Sequence, residues 1–211
     1  MGFPVYDYRR DVRNVLVTPH IRSRFLRMEP GQESGAHTHD LGHEVFLVLE
    51  GRALFSIDGE SEELGPGEMC VALAGQMHSL RVVSHGPMTM YLSVTPHIQP
   101  THTMWDREGK RLPHRFTPSS AYDTLEETGL PFAEQVDQFV EATRALAEAA
   151  EDAASSQGAL ASRLKSTVAR GDVASARSAR DALWDALFPV YERAYKLAAL
   201  WNALAPRAGG A

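Results

Sequence analysis

Apolar and polar residues alternate in short runs through the first half of the chain, and each run ends at a turn signal. Glu44–Glu50 (EVFLVLE) is the clearest strand. With Glu44 facing inward, Phe46 and Val48 share its face, while Val45, Leu47 and Leu49 face out. An outward aliphatic row of this kind is expected to be covered by another sheet, a partner subunit or the C-terminal helices. Ala53–Ile57 continues to Asp58-Gly59, a hairpin signal, and Glu60–Leu64 runs to the turn tripeptide Gly65-Pro66-Gly67. Met69–Leu73 leads to Ala74-Gly75, after which Leu80 and Val82 share the parity of His78. Met88–Val94 is a further strand, ended by Pro96. Ile21–Met28 alternates poorly because Arg22, Arg24 and Arg27 interrupt it, and its arginines are expected to point outward from an edge strand; the alternative turns Arg22 or Arg24 inward, where it could hold an anionic substrate by a bidentate pair. Evenly spaced short strands with glycine-rich turns predict a closed antiparallel barrel.

From Ser119 alanine becomes dominant and a period near 3.6 replaces alternation. The chain therefore reads as a barrel domain over residues 1–118 and an α-helical segment over 119–211. Pro131 suits a helix start, and Phe132, Val136, Phe139/Val140, Thr143, Leu146/Ala147 and Ala150 form one stripe. Ser155-Ser156-Gln157-Gly158 is expected to break that helix, leaving a short one that carries Leu160, Leu164 and Val168. Gly171-Asp172 ends this helix and caps the last, in which Pro189 predicts a kink. No nucleophile or ligand pair stands on these helices. Aromatics Phe3, Tyr6 and Tyr8 precede the barrel and suit a packed N-terminal strand.

Composition narrows the function classes. The 211 residues carry a net charge of −6, about −2 from residues 1–118 and −4 from the remainder. Neither half has the basic excess that phosphate neutralisation needs, so no nucleic-acid partner is expected. No apolar run reaches the ~20 residues that span a bilayer, so no membrane partner is expected either. The N-terminus lacks an apolar signal region, and the single Cys70 forms no intramolecular disulfide. Both features suit the cytoplasm. Cys70 itself reads as a small buried hydrophobe.

The candidate chemistry sits in Gly31–Gly51. His37 and His39 are two residues apart, so on an extended chain both imidazoles leave one face. Glu44 follows across Asp40-Leu41-Gly42, a bend that restores its facing, and His78 adds a third imidazole. Three imidazoles and a carboxylate suit one divalent transition metal ion: Fe, Mn, Ni or Zn. His43, of opposite parity to Glu44, reads as a surface or supporting residue. The long connection 96–116 carries His97, His102, Trp105 and His114, and is expected to strap the barrel exterior with its histidines in solvent. The alternative places His102 and Trp105 at a substrate site.

Gly31, His37, His39, Glu44 and Gly51 match the first cupin motif, and Gly67, Gly75 and His78 part of the second, in which Leu73 and Val82 replace the usual proline and asparagine. Residues 20 to 100 thus resemble the cupin superfamily. The resemblance implies a cupin-type antiparallel β-barrel (double-stranded β-helix, or jelly roll), here followed by the C-terminal helical segment. It also implies metal binding by His37, His39, Glu44 and His78, with dioxygenases, decarboxylases and isomerases among the activities. Arg24, Phe46, Val48, Leu80, Val82 and His102 are the candidate substrate-pocket residues. The expected ligand is a small, partly apolar, anionic or enolisable molecule. A dioxygenase-like enzyme is the first reading. A non-catalytic metal or small-molecule binder and a redox-neutral isomerase or decarboxylase are the alternatives. A homodimer is expected from the outward row, and no general base outside the ligand set stands out.

Overall fold

The structure, a computed structural model, describes residues 2–106, 108–123 and 129–208. The last residues of the expected helical segment, 209–211, lie outside the described residues. Among the described residues, ten strands precede two long helices. These are β1 (Asn14–Val17), β2 (Arg22–Met28), β3 (His37–Thr38), β4 (His43–Glu50), β5 (Ala53–Ile57) and β6 (Glu60–Leu64), then β7 (Met69–Ala72), β8 (His78–Val82), β9 (Met88–Thr95) and β10 (Thr103–Met104). A 3-10 turn at Ser119–Tyr122 follows, and then α1 (Phe132–Ala169) and α2 (Val173–Ala208). The strands form two antiparallel five-stranded sheets, ordered β1-β2-β9-β4-β7 and β10-β3-β8-β5-β6. The chain divides into two compact units, Met1–Thr128 with Ala205–Ala211, and Gly129–Leu204.

Two faces of each strand decide the barrel. Inward residues of the first sheet line up in cross-strand rows: Arg22–Val94–Glu44–Ala72, then Arg24–Leu92–Phe46–Cys70, then Leu26–Met90–Val48. The second sheet continues these rows with His37–His78–Ile57, Phe55–Leu80 and Ala53–Val82. The polar row therefore sits at one end, above a floor of Phe46, Phe55 and Leu80 and a core of Met88, Met90, Val48 and Val82. Burying these apolar side chains stabilises the barrel by roughly 1.5–3 kcal/mol each before conformational entropy is set against it. Cys70 packs against this core, and burial pushes its thiol up to about 11, as expected of a small buried hydrophobe.

The β5–β6 hairpin turns at Asp58 and Gly59, both in the left-handed region, as a two-residue primed turn requires. Glycine at the second position meets that demand without a Cβ penalty. Residues 2–13 form no strand; the N-terminal strand among the described residues is β1, and Tyr8 packs edge-on to Phe25, which in turn packs on Tyr91. These rings lie on the outer sheet face beside Leu47, which pairs across the ladder with Tyr91. Val45, Leu47 and Leu49 are half-buried, while Met69 and Val71 at the β7 edge are exposed.

The helical unit corrects two expectations. Ser155–Gly158 does not break the helix: α1 runs 38 residues without interruption. Ser155 and Ser156 donate to the Asp152 and Ala153 carbonyls three residues back, which keeps both hydroxyls inside the helical geometry. One glycine costs a helix only about 1 kcal/mol, too little to end it without a proline. The α1 seam also differs from the expected stripe, because Gln135, Ala142, Ala149 and Ala153 are buried whereas Phe132 and Val140 are exposed. Alanines let the antiparallel helices approach closely and leave the bulky residues on the flanks. Arg193 of α2 donates to the Ala145 carbonyl of α1, and Phe139 packs on Trp201. Asp172 caps α2 by accepting from the Ser175 N–H, and α2 continues through Pro189. Among the described residues, no helix is long and apolar enough to cross a membrane.

Candidate metal centre

His37, His39, Glu44 and His78 meet at the polar end of the barrel, each offering one ligand atom, all within 4.8 Å of one another. They come from three strands and one bend. His37 lies on β3, opposite His78 of β8. His39 follows β3, and the chain then turns through Asp40-Leu41-Gly42 into β4. Gly42 is needed there, since a Cβ would stand 2.8 Å from the Pro96 carbonyl oxygen. That bend brings Glu44 inward although it lies an odd number of residues after His39.

The imidazoles are oriented by backbone carbonyls. Nδ1 of His37 donates to Gly35 O (2.8 Å), that of His39 to Thr101 O (2.5 Å) and that of His78 to Gln76 O (2.9 Å). A carbonyl only accepts, so each Nδ1 carries the proton and each Nε2 is turned toward Glu44. Nε2 of His39 and of His78 lie 2.9 and 3.0 Å from Glu44 Oε2, and Nε2 of His37 lies 3.9 Å away. Three Nε2 atoms thus surround one carboxylate oxygen. At each Nε2 a proton shared with that oxygen and a metal ion are alternatives, because both use the same nitrogen lone pair. The donor set fits a divalent transition metal, and carbonyl-fixed imidazoles are the support such sites use.

Titration follows the same geometry. Burial pushes the Glu44 carboxyl up, but hydrogen bonds from His39 and His78 outweigh it and hold the group well below the carboxylate range. Burial pulls His37 down to about 4, so its imidazole is neutral at pH 7. Burial also opposes protonation of His78, but the Glu44 bond and the Gln76 carbonyl raise it overall. Neutral imidazole and ionised carboxylate are the forms a metal takes.

The structure revises two placements. Arg22 does not point outward. It is buried, its Nη2 is 3.9 Å from Glu44 Oε1, and its guanidinium lies 5.4 Å from the Tyr122 ring centroid. Pairing of β2 with β9 makes β2 an interior strand and puts Arg22, Arg24, Leu26 and Met28 on its inner face. The 96–116 connection does not hold all its histidines in solvent. The His102 ring lies 4.8 Å from that of His37 and 4.7 Å from that of His39, and His97 is buried against Tyr122 and Thr101. Burial pulls both His97 and His102 down to about 3. The reason is β10, which pairs with β3 and draws residues 97–104 over the site. His114 remains exposed, and Trp105 donates to Thr38.

Of the other pocket residues, Phe46 stands nearest, its ring 5.9 Å from that of His78. Arg24 and Leu80 share its layer, while Val48 and Val82 lie one layer deeper. His43 is exposed and accepts from the Ala74 N–H, holding the loop that precedes His78. The three carbonyls that orient the imidazoles had no sequence signal, since any residue supplies a carbonyl.

A family model described as a cupin domain matches residues 24–95. Over 55 residues the chain is 27% identical to an oxalate-binding protein of Thermotoga maritima, covering 26% of this chain and 46% of that protein. The chain thus spans about half the length of this curated relative. A solved structure of a conserved protein with a double-stranded β-helix domain from Klebsiella pneumoniae matches at 24% identity, covering 45% of this chain and 91% of that one (TM-score 0.42). Oxalate oxidase in complex with the substrate analogue glycolate matches at 24% identity over 36% of this chain and 42% of that one (TM-score 0.35).

Proposed function

Because the barrel belongs to the cupin superfamily, we propose that His37, His39, Glu44 and His78 hold one divalent transition metal and that the site acts on a small anionic or enolisable molecule, as a dioxygenase does. The observation that carries this reading is the convergence of three carbonyl-oriented Nε2 atoms on Glu44 Oε2. Bound there, such an ion would supply Lewis acidity and, if redox-active, one-electron chemistry. The chain's own residues do the rest. Phe46 and Leu80 give an apolar floor that excludes water, and Arg22 adds positive charge beside Glu44. His102 presents a half-buried, neutral imidazole at the side of His37 and His39.

The test loads metal-free protein with Fe(II), Mn(II), Ni(II) or Zn(II) in turn and follows oxygen uptake with enolisable carboxylates. Oxygen-dependent turnover supports the dioxygenase. Turnover without oxygen makes the site an isomerase or decarboxylase. Saturable ligand binding with no turnover under any metal sinks the enzyme. The last outcome is the second reading, a non-catalytic binder, which similarity to the oxalate-binding protein of Thermotoga maritima favours.

The same reading includes a homodimer through the outer face at Val45, Leu47 and Leu49, where Met69 and Val71 are exposed at the edge. Leu47→Glu would place a charge among half-buried aliphatics, and light scattering should show a shift from dimer to monomer. A variant as associated as its parent removes this face from the interface.

A further inference from the structure

Resting on that reading of the site, we infer that Arg22 and Arg24 form a carboxylate-binding subsite beside the four-residue cluster, so that the ligand is a small carboxylate gripped at one end by guanidinium groups. The two side chains leave the same face of β2, two residues apart, and stand in adjacent inward rows: Arg22 in the row of Glu44, Arg24 in the row of Phe46.

Their hydrogen bonding is incomplete. The Arg22 side chain is only 6% exposed, yet its nearest carboxylate oxygen is at 3.9 Å, beyond hydrogen-bond distance. Among the described residues, Nε of Arg22 and Nε of Arg24 are both buried without an acceptor. A buried donor without an acceptor is costly, and a guanidinium with its Nε unpaired is poised for a planar two-oxygen acceptor.

Charge points the same way. Glu44 is engaged by the imidazoles, and Asp123, the other acid acting on Arg24, accepts from the backbone and side-chain amides of Asn14. Two adjacent guanidiniums therefore share carboxylates committed elsewhere. A divalent ion would add positive charge to the same end of the barrel. An anion is the missing partner. The flat fork of each arginine, in inward rows that also hold Glu44 and Phe46, favours a carboxylate on a short carbon chain.

Malonate is the probe, titrated by calorimetry into metal-free and metal-loaded full-length protein, with metal content measured in parallel. Each charge-assisted bond removed should weaken binding about 10-fold or more. Arg24→Met and the conservative Arg22→Lys, which keeps the charge but loses the fork, are thus each expected to bind malonate at least ~10-fold more weakly. Both should still take up metal at the four-residue cluster. A purely structural arginine would lower the melting temperature when replaced. Here Arg24→Met should melt no lower than its parent without malonate and should lose the upward shift that malonate gives the parent. Failure of malonate to bind the parent, or equal affinity in parent and both variants, overturns the subsite. Equal affinity that requires metal shows coordination by the ion alone, so the subsite fails while the metal reading stands. A parent without metal that binds malonate through the arginines separates the two in the opposite direction.

Discussion

Replacing His37 and His39 together by alanine is expected to lower bound metal from about one equivalent to under ~0.1 after purification and exhaustive dialysis. Even a lost supporting group typically weakens a metal site 10–100-fold. Here two of four ligands go, including the fully buried His39, whose Nδ1 is held by Thr101 O. Elemental analysis is the measurement, and full occupancy in the double variant would remove these residues from the metal site. The barrel itself should survive. Its apolar layers from Phe46 and Phe55 to Met88 and Met90 lie below the polar row and do not include either histidine. A three-imidazole, one-carboxylate set without thiolates suits a catalytic ion with open positions better than a structural one. Chelation of the parent should therefore abolish turnover or ligand binding while moving the melting temperature modestly. Unfolding on chelation would instead make the ion structural.

Acid is the second large lever. The His97 and His102 imidazoles are pulled by burial to about 3, and that of His37 to about 4, against an ordinary value near 6.5. Between 6.5 and these values the unfolded chain takes up protons that the folded chain refuses. Stability is therefore fully present above pH 6.5 and falls as the pH drops toward 4 or 3. Each imidazole that stays neutral costs ~2 kcal/mol by pH 5. Glu44, held below its ordinary value, acts in the same direction below pH 4.5. His78, raised by Glu44, opposes, because its contribution is present below 6.5 and lost as the pH rises through its folded value. Four groups against one leave a net loss on acidification. Urea midpoints of metal-free protein at pH 7.5, 6 and 5 should fall in that order. Ring-proton titration by NMR should show His97 neutral at pH 5. A midpoint flat from pH 7.5 to 5, or a His97 that titrates near 6.5, would contradict the burial argument. His97→Asn should flatten the profile, since an amide replaces the Thr101 contact without a proton to refuse.

Local chemistry was enough to mark the candidate ligands. His-x-His puts two imidazoles on one face of any extended segment, and the bend at Gly42 returns Glu44 to that face. Asp58-Gly59 specified a primed turn wherever the strands would lie. Pro131 and Gly171-Asp172 marked helix ends by the same logic, because a cap involves only residues a few positions apart. What local chemistry lacks is knowledge of neighbours. Arg22 and Arg24 shared a parity from the start, but whether that parity was inside depended on β9 pairing with β2, and β9 lies more than sixty residues away. His102 carried no periodic signal, and only the pairing of β10 with β3 brought it against His37 and His39. Serines and a glycine at 155–158 looked like a break because their propensities are weak, yet propensity differences of about 1 kcal/mol yield to a helix continued from both sides. The residue types were thus set by sequence. The tertiary register decided which of them met, since inside and outside are properties of pairing, not of any single strand.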